Sequence, residues 1–339
     1  WGGRLGVGFQ FDNDVQINLT VAHQEARDGD TSGGWAGAPP NVSYGHVRTP
    51  FDSRMTMYEG ALSWRFSGMR LTANAASYTW KSTRQIDYTG TLQSERLSLD
   101  GCKRYLQIPD TAVCTAPQLA AYSSYVDSRA PGLLYQPIDL YADVQEVRLQ
   151  SDAPGYFAWT AGVFREVRSD TIDSQVIVGD PATGLPRHGD FTGRRIVDSQ
   201  LTQRAVYGEA TLGADRDTSF VLGARRFTYD KRTDGEALIV NVISNTTEAN
   251  FRSTTEESGW SLKFLASHRF SPSAMGYAQA SQGFRPGGVN TVPGLPPNLS
   301  AYGADSLWNY ELGLKGAWLN NRLQVNTALY RIDWQDMQY

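Results

Sequence analysis

Apolar and polar residues alternate with a period of two along much of this chain. The clearest case runs from Asp305 to Gln338. Trp308, Tyr310, Leu312, Leu314 and Trp318 share one parity, and Asn309, Glu311, Gly313 and Lys315 share the other. A period of two is that of a β-strand with one greasy face and one polar face. Asn320-Asn321 supplies a turn, because Asn tolerates positive φ. Leu323, Val325, Thr327 and Leu329 then alternate with Arg322, Gln324, Asn326 and Ala328. Each arm reaches about ten residues, enough to cross a bilayer when tilted. Trp308, Tyr310, Trp318, Tyr330 and Trp334 gather near the arm ends, where the aromatic girdles of a membrane protein sit. A hairpin of a soluble sandwich has the same local pattern.

The pattern recurs from end to end. Strands are predicted over Leu5–Phe11, Val15–Ala22, Met57–Phe66, Met69–Ala76, Asp139–Ser151, Trp159–Val163, Gln203–Ala214, Thr218–Tyr229, Trp260–Ser267 and Met275–Gly283, besides the closing hairpin. Short turns are expected at Asp12–Asp14, Ser67-Gly68, Asp152–Gly155, Asp215–Asp217, Ser271–Ala274 and Asn320-Asn321. Long loops are expected over Glu25–Ser53, Arg84–Pro137, Thr171–Gln200, Lys231–Glu256 and Phe284–Ala304, with a short helix over Pro117–Val126. Turns of about two to four residues thus alternate with loops of about 20 to 55, a segregation found in outer-membrane barrels and uncommon in compact domains. The expected fold is all-β: an antiparallel transmembrane β-barrel wall of about twelve strands, with short periplasmic turns and long extracellular loops.

Composition permits this reading. Hydrophobic residues make up 40% and the mean hydropathy is −0.41. No apolar run approaches the roughly 18 residues of a membrane helix. A barrel hides in such numbers because only every second residue meets lipid. Glu59, Arg65, Arg70, Glu146, Arg148, Glu209, Lys263, Arg269, Glu311 and Lys315 all fall on the polar parity, so in a barrel they face a wet or plugged lumen. The net charge of −4 comes without a basic block, which argues against a nucleic-acid partner. Aromatics at 12%, with 9 Trp and 17 Tyr, suit interface belts or a ligand-binding surface equally.

Cys102 and Cys114 lie close together inside a loop-like stretch. They are compatible with a disulfide in an oxidising compartment, the alternative being two free thiols. His23, His46, His188 and His268 are scattered without metal-type spacing, so no metal or cofactor is expected. Nucleophile-elbow and nucleotide-binding motifs are absent from the sequence, and no catalytic residues are expected. Gly283, Gly287 and Gly288 invite a phosphate cradle, but no helix follows them, and a loop needing positive φ accounts for them better.

Four stretches carry a resemblance to a known family. They are Ser281-Gln282-Gly283-Phe284-Arg285-Pro286-Gly287-Gly288-Val289-Asn290, Arg204 to Ala210 (RAVYGEA), Asn309 to Lys315 (NYELGLK) and Ala328 to Gln338 (ALYRIDWQDMQ). In this order and spacing they resemble TonB-dependent receptors, most nearly iron-complex receptors. The likeness spans the chain from about Asp139 onward, and before that only the pattern agrees. The resemblance implies a bacterial outer-membrane barrel of about 22 strands closed around a plug. It implies import of a scarce solute, most nearly a ferric siderophore or other iron complex, driven through the TonB energising complex of the inner membrane. A carbohydrate or cobalamin-like solute stays open, as does a soluble or surface-attached carbohydrate-binding β protein. The chain, residues 1–339, reads as an internal part of the barrel domain, without plug, energy-coupling box or terminal aromatic strand.

One candidate binding element follows from the first stretch. Phe284-Arg285-Pro286-Gly287-Gly288 turns the chain into a predicted outer loop at the barrel mouth. Arg285 there is a lone cation beside an aromatic, suited to holding a carboxylate or hydroxamate oxygen bidentately. Tyr302 and Trp308 are expected to add stacking area. The plainer reading is a rim in which Arg285 only pairs with a nearby carboxylate.

Overall fold

The alternation drives the backbone through consecutive up-and-down strands. They are β1 (Gly2–Phe11), β2 (Val15–Asp28), β3 (Phe51–Phe66), β4 (Met69–Asp87), β5 (Gly132–Ser151), β6 (Phe157–Gly179), β7 (Pro186–Leu212), β8 (Thr218–Ile239), β9 (Asn250–Ser271), β10 (Ala274–Arg285), β11 (Gly288–Val289), β12 (Ala301–Tyr302), β13 (Asp305–Trp318) and β14 (Leu323–Gln335). In this computed structural model, which describes residues 1–12, 14–30, 37, 39, 42–152, 155–245, 250–290 and 301–338, twelve of these strands form one antiparallel sheet in chain order, while β11 and β12 pair separately. Neighbours pair in long registers, shifted only locally between β6 and β7, β7 and β8, and β9 and β10: Leu312 lies opposite Leu329, and Leu222 opposite Phe264.

The expected short turns close one end of the sheet. Ser67 and Gly68 adopt φ of 48° and 72°, the positive values that a two-residue hairpin turn requires, and the four-residue turn 319–322 holds Leu319, Asn320 and Asn321 at 53°, 57° and 65°. At Gly213 (φ 74°) a Cβ would also sit 2.2 Å from the Thr218 carbonyl oxygen, so only glycine fits. Asn13, Ala153 and Pro154, in two of the other expected turns, lie outside the described residues, as do 31–36, 246–249 and 291–300 in the expected loops.

The two pleat faces differ as the sequence demands. The apolar parity is bare: Leu312 is 61% exposed, Val206 56% and Leu222 51%. A sandwich would cover such a face with a second sheet. Besides the main sheet, the only sheet that the described residues form is the two-stranded β11–β12 ribbon, so this face is built to meet hydrocarbon. All ten charged residues expected on the polar parity share the opposite, inner face. Several of them are partnered there: Lys263 reaches Glu209 at 2.9 Å, the Tyr207 hydroxyl donates to Glu146 at 2.6 Å, the Tyr277 hydroxyl donates to Glu311, and Arg70 donates to Asp152 at 2.7 Å.

The loop boundaries need correction. Thr171–Gln200 is not a loop, since β6 runs to Gly179 and β7 starts at Pro186. Lys231–Glu256 shrinks likewise, because β8 runs to Ile239 and β9 starts at Asn250. Glu25–Ser53 and Arg84–Pro137 lose residues at both ends to β2, β3, β4 and β5. β7 has 27 residues, about 90 Å along the strand at about 3.4 Å per residue, whereas about ten residues suffice to cross a bilayer. The remainder stands above the apolar belt, where both faces are wet. Stretches such as Asp230-Lys231-Arg232-Thr233-Asp234 therefore lose the alternation and look like loop in sequence while remaining fully paired.

The stretch between β4 and β5 holds three helices, α1 (Thr89–Ser94), α2 (Leu99–Leu106) and α3 (Ala116–Ser128), where the sequence suggested only one, over Pro117–Val126. Ser98 caps α2 by accepting the Gly101 N–H at 3.1 Å, and Thr115 opens α3 by donating its N–H to the Gln118 side chain at 2.9 Å. Cys102 and Cys114 are bonded to each other, with Cα atoms 6.4 Å apart. Closing a loop of this size constrains the unfolded chain by roughly 3 kcal/mol. Leu92, Cys102, Tyr122 and Val126 form a buried cluster that packs on Leu134 and Val176, two inner-face residues of the raised wall. The helical insert thus leans on the inside of the wall above the belt.

Tyr122 is fully buried, and its hydroxyl donates to the Glu95 carbonyl oxygen at 3.1 Å. Burial pushes its phenol up to about 12 from the ordinary 10. The neutral form is favoured in the folded state, so this contribution is whole below pH 10 and is lost as pH rises from 10 towards about 12. The insert is expected to loosen over that window, seen as faster amide exchange in α2 and α3. Tyr122→Phe should remove the pH dependence at a fixed cost of about 1 kcal/mol for the lost hydrogen bond.

Candidate functional site

Above the belt, the inner face of β6, β7 and β8 is lined by large side chains. The alternation of β8 places Arg225, Phe227, Tyr229 and Lys231 inward, on the same face as Leu201 and Ala205 of β7. Phe227, Tyr229, Leu201 and Ala205 are buried together. Phe284, at the end of β10, stacks flat on Phe227 with centroids 3.5 Å apart and planes 4° apart. Beyond it the chain turns through Pro286-Gly287-Gly288, and the Gly287 N–H donates to the Tyr229 hydroxyl at 2.7 Å.

The glycines of this turn are required by crowding. A Cβ at Gly287 would lie 2.6 Å from the Tyr302 carbonyl oxygen. One at Gly288 would lie 2.7 Å from both Lys231 Nζ and the Tyr302 hydroxyl. The β11–β12 ribbon therefore brings Tyr302 and the Lys231 ammonium to one point on the inner wall. Arg168 of β6 lies on the same pleat row, separated from Lys231 only by Leu201. Two cations, a tyrosine hydroxyl and an aromatic floor thus face the interior together, with the carboxylates of Glu166, Asp170 and Glu257 beside them. This arrangement offers an oxygen-rich solute with flat groups two cations for its anionic oxygens and an aromatic surface.

The residues expected to bind are divided by the structure. Tyr302 is at this point. Arg285 is committed elsewhere: its Nε donates to Asp305 at 2.7 Å, its second donor reaches the same carboxylate, and a further bond at 3.1 Å goes to the Gln338 carbonyl oxygen. Asp305 is 1% exposed and also accepts the Arg285 backbone N–H at 3.1 Å. The guanidinium lies over the ring of Trp334 at 4.7 Å, not over Trp308. Trp308 sits on the opposite pleat face, stacked with Tyr310 at 5.9 Å among the lipid-facing aromatics. The geometry is that of the rim reading, with Arg285 locking the ends of β10, β13 and β14. The sequence reading missed Lys231 because it ended the strand at Tyr229, and it gave Phe227 and Tyr229, inside that strand, no part in a site. The signal was present, since the inward parity continues Phe227, Tyr229, Lys231 without a break.

A family model for "TonB dependent receptor-like, beta-barrel" matches residues 2–339. The chain belongs to the TonB-dependent receptor family. The wall described above is part of such a receptor's outer-membrane barrel, the family being one of transporters and receptors rather than enzymes. Among solved structures the receptor is similar to the ferric yersiniabactin uptake receptor FyuA of Yersinia pestis, with a TM-score of 0.71 and 14% identity over 99% of this chain and 45% of that one. It is similar to the siderophore receptor PiuA of Acinetobacter baumannii, with a TM-score of 0.64 and 12% identity over 97% of this chain and 49% of that one. It is also similar to the ferric-catecholate import receptor Fiu of E. coli K12, with a TM-score of 0.63 and 15% identity over 98% of this chain and 51% of that one. The chain therefore spans about half the length of these structures.

Proposed function

We propose that the receptor imports an anionic iron chelate of the siderophore class through the lumen that this wall partly encloses. The carrying observation is the meeting of Lys231, Arg168 and Tyr302 over the Phe227–Phe284 stack on the inner face. Lys231 and Arg168 attract the chelate's negative oxygens, the Tyr302 hydroxyl bonds one of them, and the aromatic floor takes its flat groups. The similarity to a ferric yersiniabactin uptake receptor, a ferric-catecholate import receptor and a siderophore receptor supports this solute class. Arg285 holds the rim, and Trp308 anchors the wall in lipid.

Titration of the purified complete receptor with ferric-chelate probes of catecholate, hydroxamate and carboxylate type tests this. Lys231→Gln should weaken binding of the preferred probe about tenfold, the loss of one charge-assisted contact. Arg285→Lys should leave affinity within about twofold, a difference of only a few tenths of a kcal/mol. Equal binding by wild type and Lys231→Gln would move the site elsewhere.

The proposal fixes an orientation. The short turns face the periplasm, and the raised wall with its helical insert faces outside. A membrane-impermeant maleimide on whole cells should label a cysteine placed at Thr183, exposed in the β6–β7 turn, and should fail at Asn321, exposed in the β13–β14 turn. The reverse pattern would overturn the orientation.

A further inference from the structure

On the outward face of β6, β7 and β8 the apolar belt ends at the same kind of residue three times. Reading away from the short turns, Val163 is followed by Arg165, Val206 by Arg204 and Ala224 by Arg226 on the outward parity. Arg165 and Arg204 are direct cross-strand partners. Like charges in that position repel. Among the described residues neither side chain makes a hydrogen bond or ion pair. Arg226 has a hydroxyl, Ser258, at 2.7 Å and the ring of Trp260 at 5.7 Å, and no carboxylate. Asp143, the carboxylate diagonal to Arg165, is occupied by the Tyr141 hydroxyl at 2.5 Å. The three arginines rim one outward groove of about 440 Å³ floored by Val147, Val163 and Val206.

The contrast with the rest of the outward face is what decides. Farther from the belt, outward arginines are matched to acids. Arg194 pairs with Asp173 at 2.8 Å, Arg232 and Arg252 share Asp234 at 2.6 Å each, and Arg54 pairs with Glu25 at 2.7 Å. Where the wall stands in water, the protein supplies its own counter-charge. At the belt edge, where lipid headgroups lie, it supplies none.

We infer that Arg165, Arg204 and Arg226 form a site for the anionic, phosphate-bearing headgroup of a membrane lipid, its acyl chains lying on the valine floor. An anionic headgroup between Arg165 and Arg204 turns their repulsion into two charge-assisted contacts. The leaflet concerned, the outer one, rests on the orientation proposed above; the headgroup chemistry does not.

The test uses the complete receptor in symmetric nanodiscs, which offer headgroups to both belt edges whatever the orientation. In mixed phosphatidylcholine and phosphatidic acid discs, native mass spectrometry should find phosphatidic acid retained by wild type. Retention should fall roughly thirtyfold in Arg165→Gln/Arg204→Gln, the size set by two basic groups near an anionic surface. Arg232→Gln, whose arginine is matched by Asp234, should retain the lipid. Thermal stability adds a readout that mere loss of structure would not produce. In neutral detergent the double variant should melt above wild type, because repulsion is relieved, and in phosphatidic acid discs below it. Equal lipid retention, or a variant that melts lower in both media, overturns the inference. So does equal protection of wild type by inorganic phosphate, which would make the pair a free-anion site instead.

Discussion

Leu222→Arg is expected to cost about 2–4 kcal/mol of folding free energy in a bilayer, the penalty for a cation on the lipid face near mid-membrane. Leu222 lies on the outward parity of β8, 51% exposed, with Phe264 across the pair on β9 and Ala210 on β7. An arginine there has no carboxylate within the belt and no water. Gln279→Arg is the matched control: it lies on the inner face of β10, directly opposite Glu311 of β13. It should shift stability by about 0.5 kcal/mol or less, as polar surface changes do. Urea titration of the complete receptor in liposomes, followed by heat-modifiable migration on gels, separates the two. Equal costs would mean that the faces have been assigned the wrong way round.

Tyr229→Ala is expected to open the inner rim without unfolding the wall. Tyr229 is fully buried and packs with Phe227 and Leu201, while its hydroxyl accepts the Gly287 N–H at 2.7 Å. Removing a buried aromatic costs about 3–5 kcal/mol where the surroundings cannot collapse. Here that loss falls on the segment after Phe284, which the tyrosine pins to β8. Tyr229→Phe keeps the packing and should cost only about 0.5–1.5 kcal/mol for the hydrogen bond. Hydrogen exchange should show strong deprotection of 284–290 and 301–305 in the alanine variant, slight in the phenylalanine variant, with β7 and β8 unchanged. Uniform deprotection of the sheet would show that Tyr229 supports the wall rather than the rim.

The strands inside the belt were legible residue by residue, because lipid on one side and water on the other impose a strict alternation. Val206 against Tyr207 and Leu312 against Glu311 carry the inside-outside assignment by themselves. Above the belt that physics stops. Thr171 to Val176 and Asp230 to Asp234 have polar groups on both faces, so nothing in their hydropathy separates a paired strand from a loop. The helices α1 and α2 escaped for a related reason: α2 buries little beyond Gly101 and Cys102, too short an apolar stripe to show in sequence. The candidate site was half legible. Tyr302 falls in the candidate site in both the sequence reading and the structure, whereas Lys231 lies beyond the predicted strand end and Arg285 stands out in sequence only as a lone cation. Its partner Asp305 is 20 residues away in sequence and becomes adjacent only when β10 pairs with β13.

The most direct test of the whole account is uptake of radiolabelled ferric chelates by cells lacking the gene and complemented with the complete receptor. Energised accumulation of at least one siderophore-type chelate is expected. That uptake should be lost on deletion, restored by the intact gene, abolished when the proton-motive force is collapsed, and reduced by Lys231→Gln with normal surface levels. Uptake of every iron chelate that is the same with and without the gene, alongside a deletion defect on a non-iron solute, would contradict it.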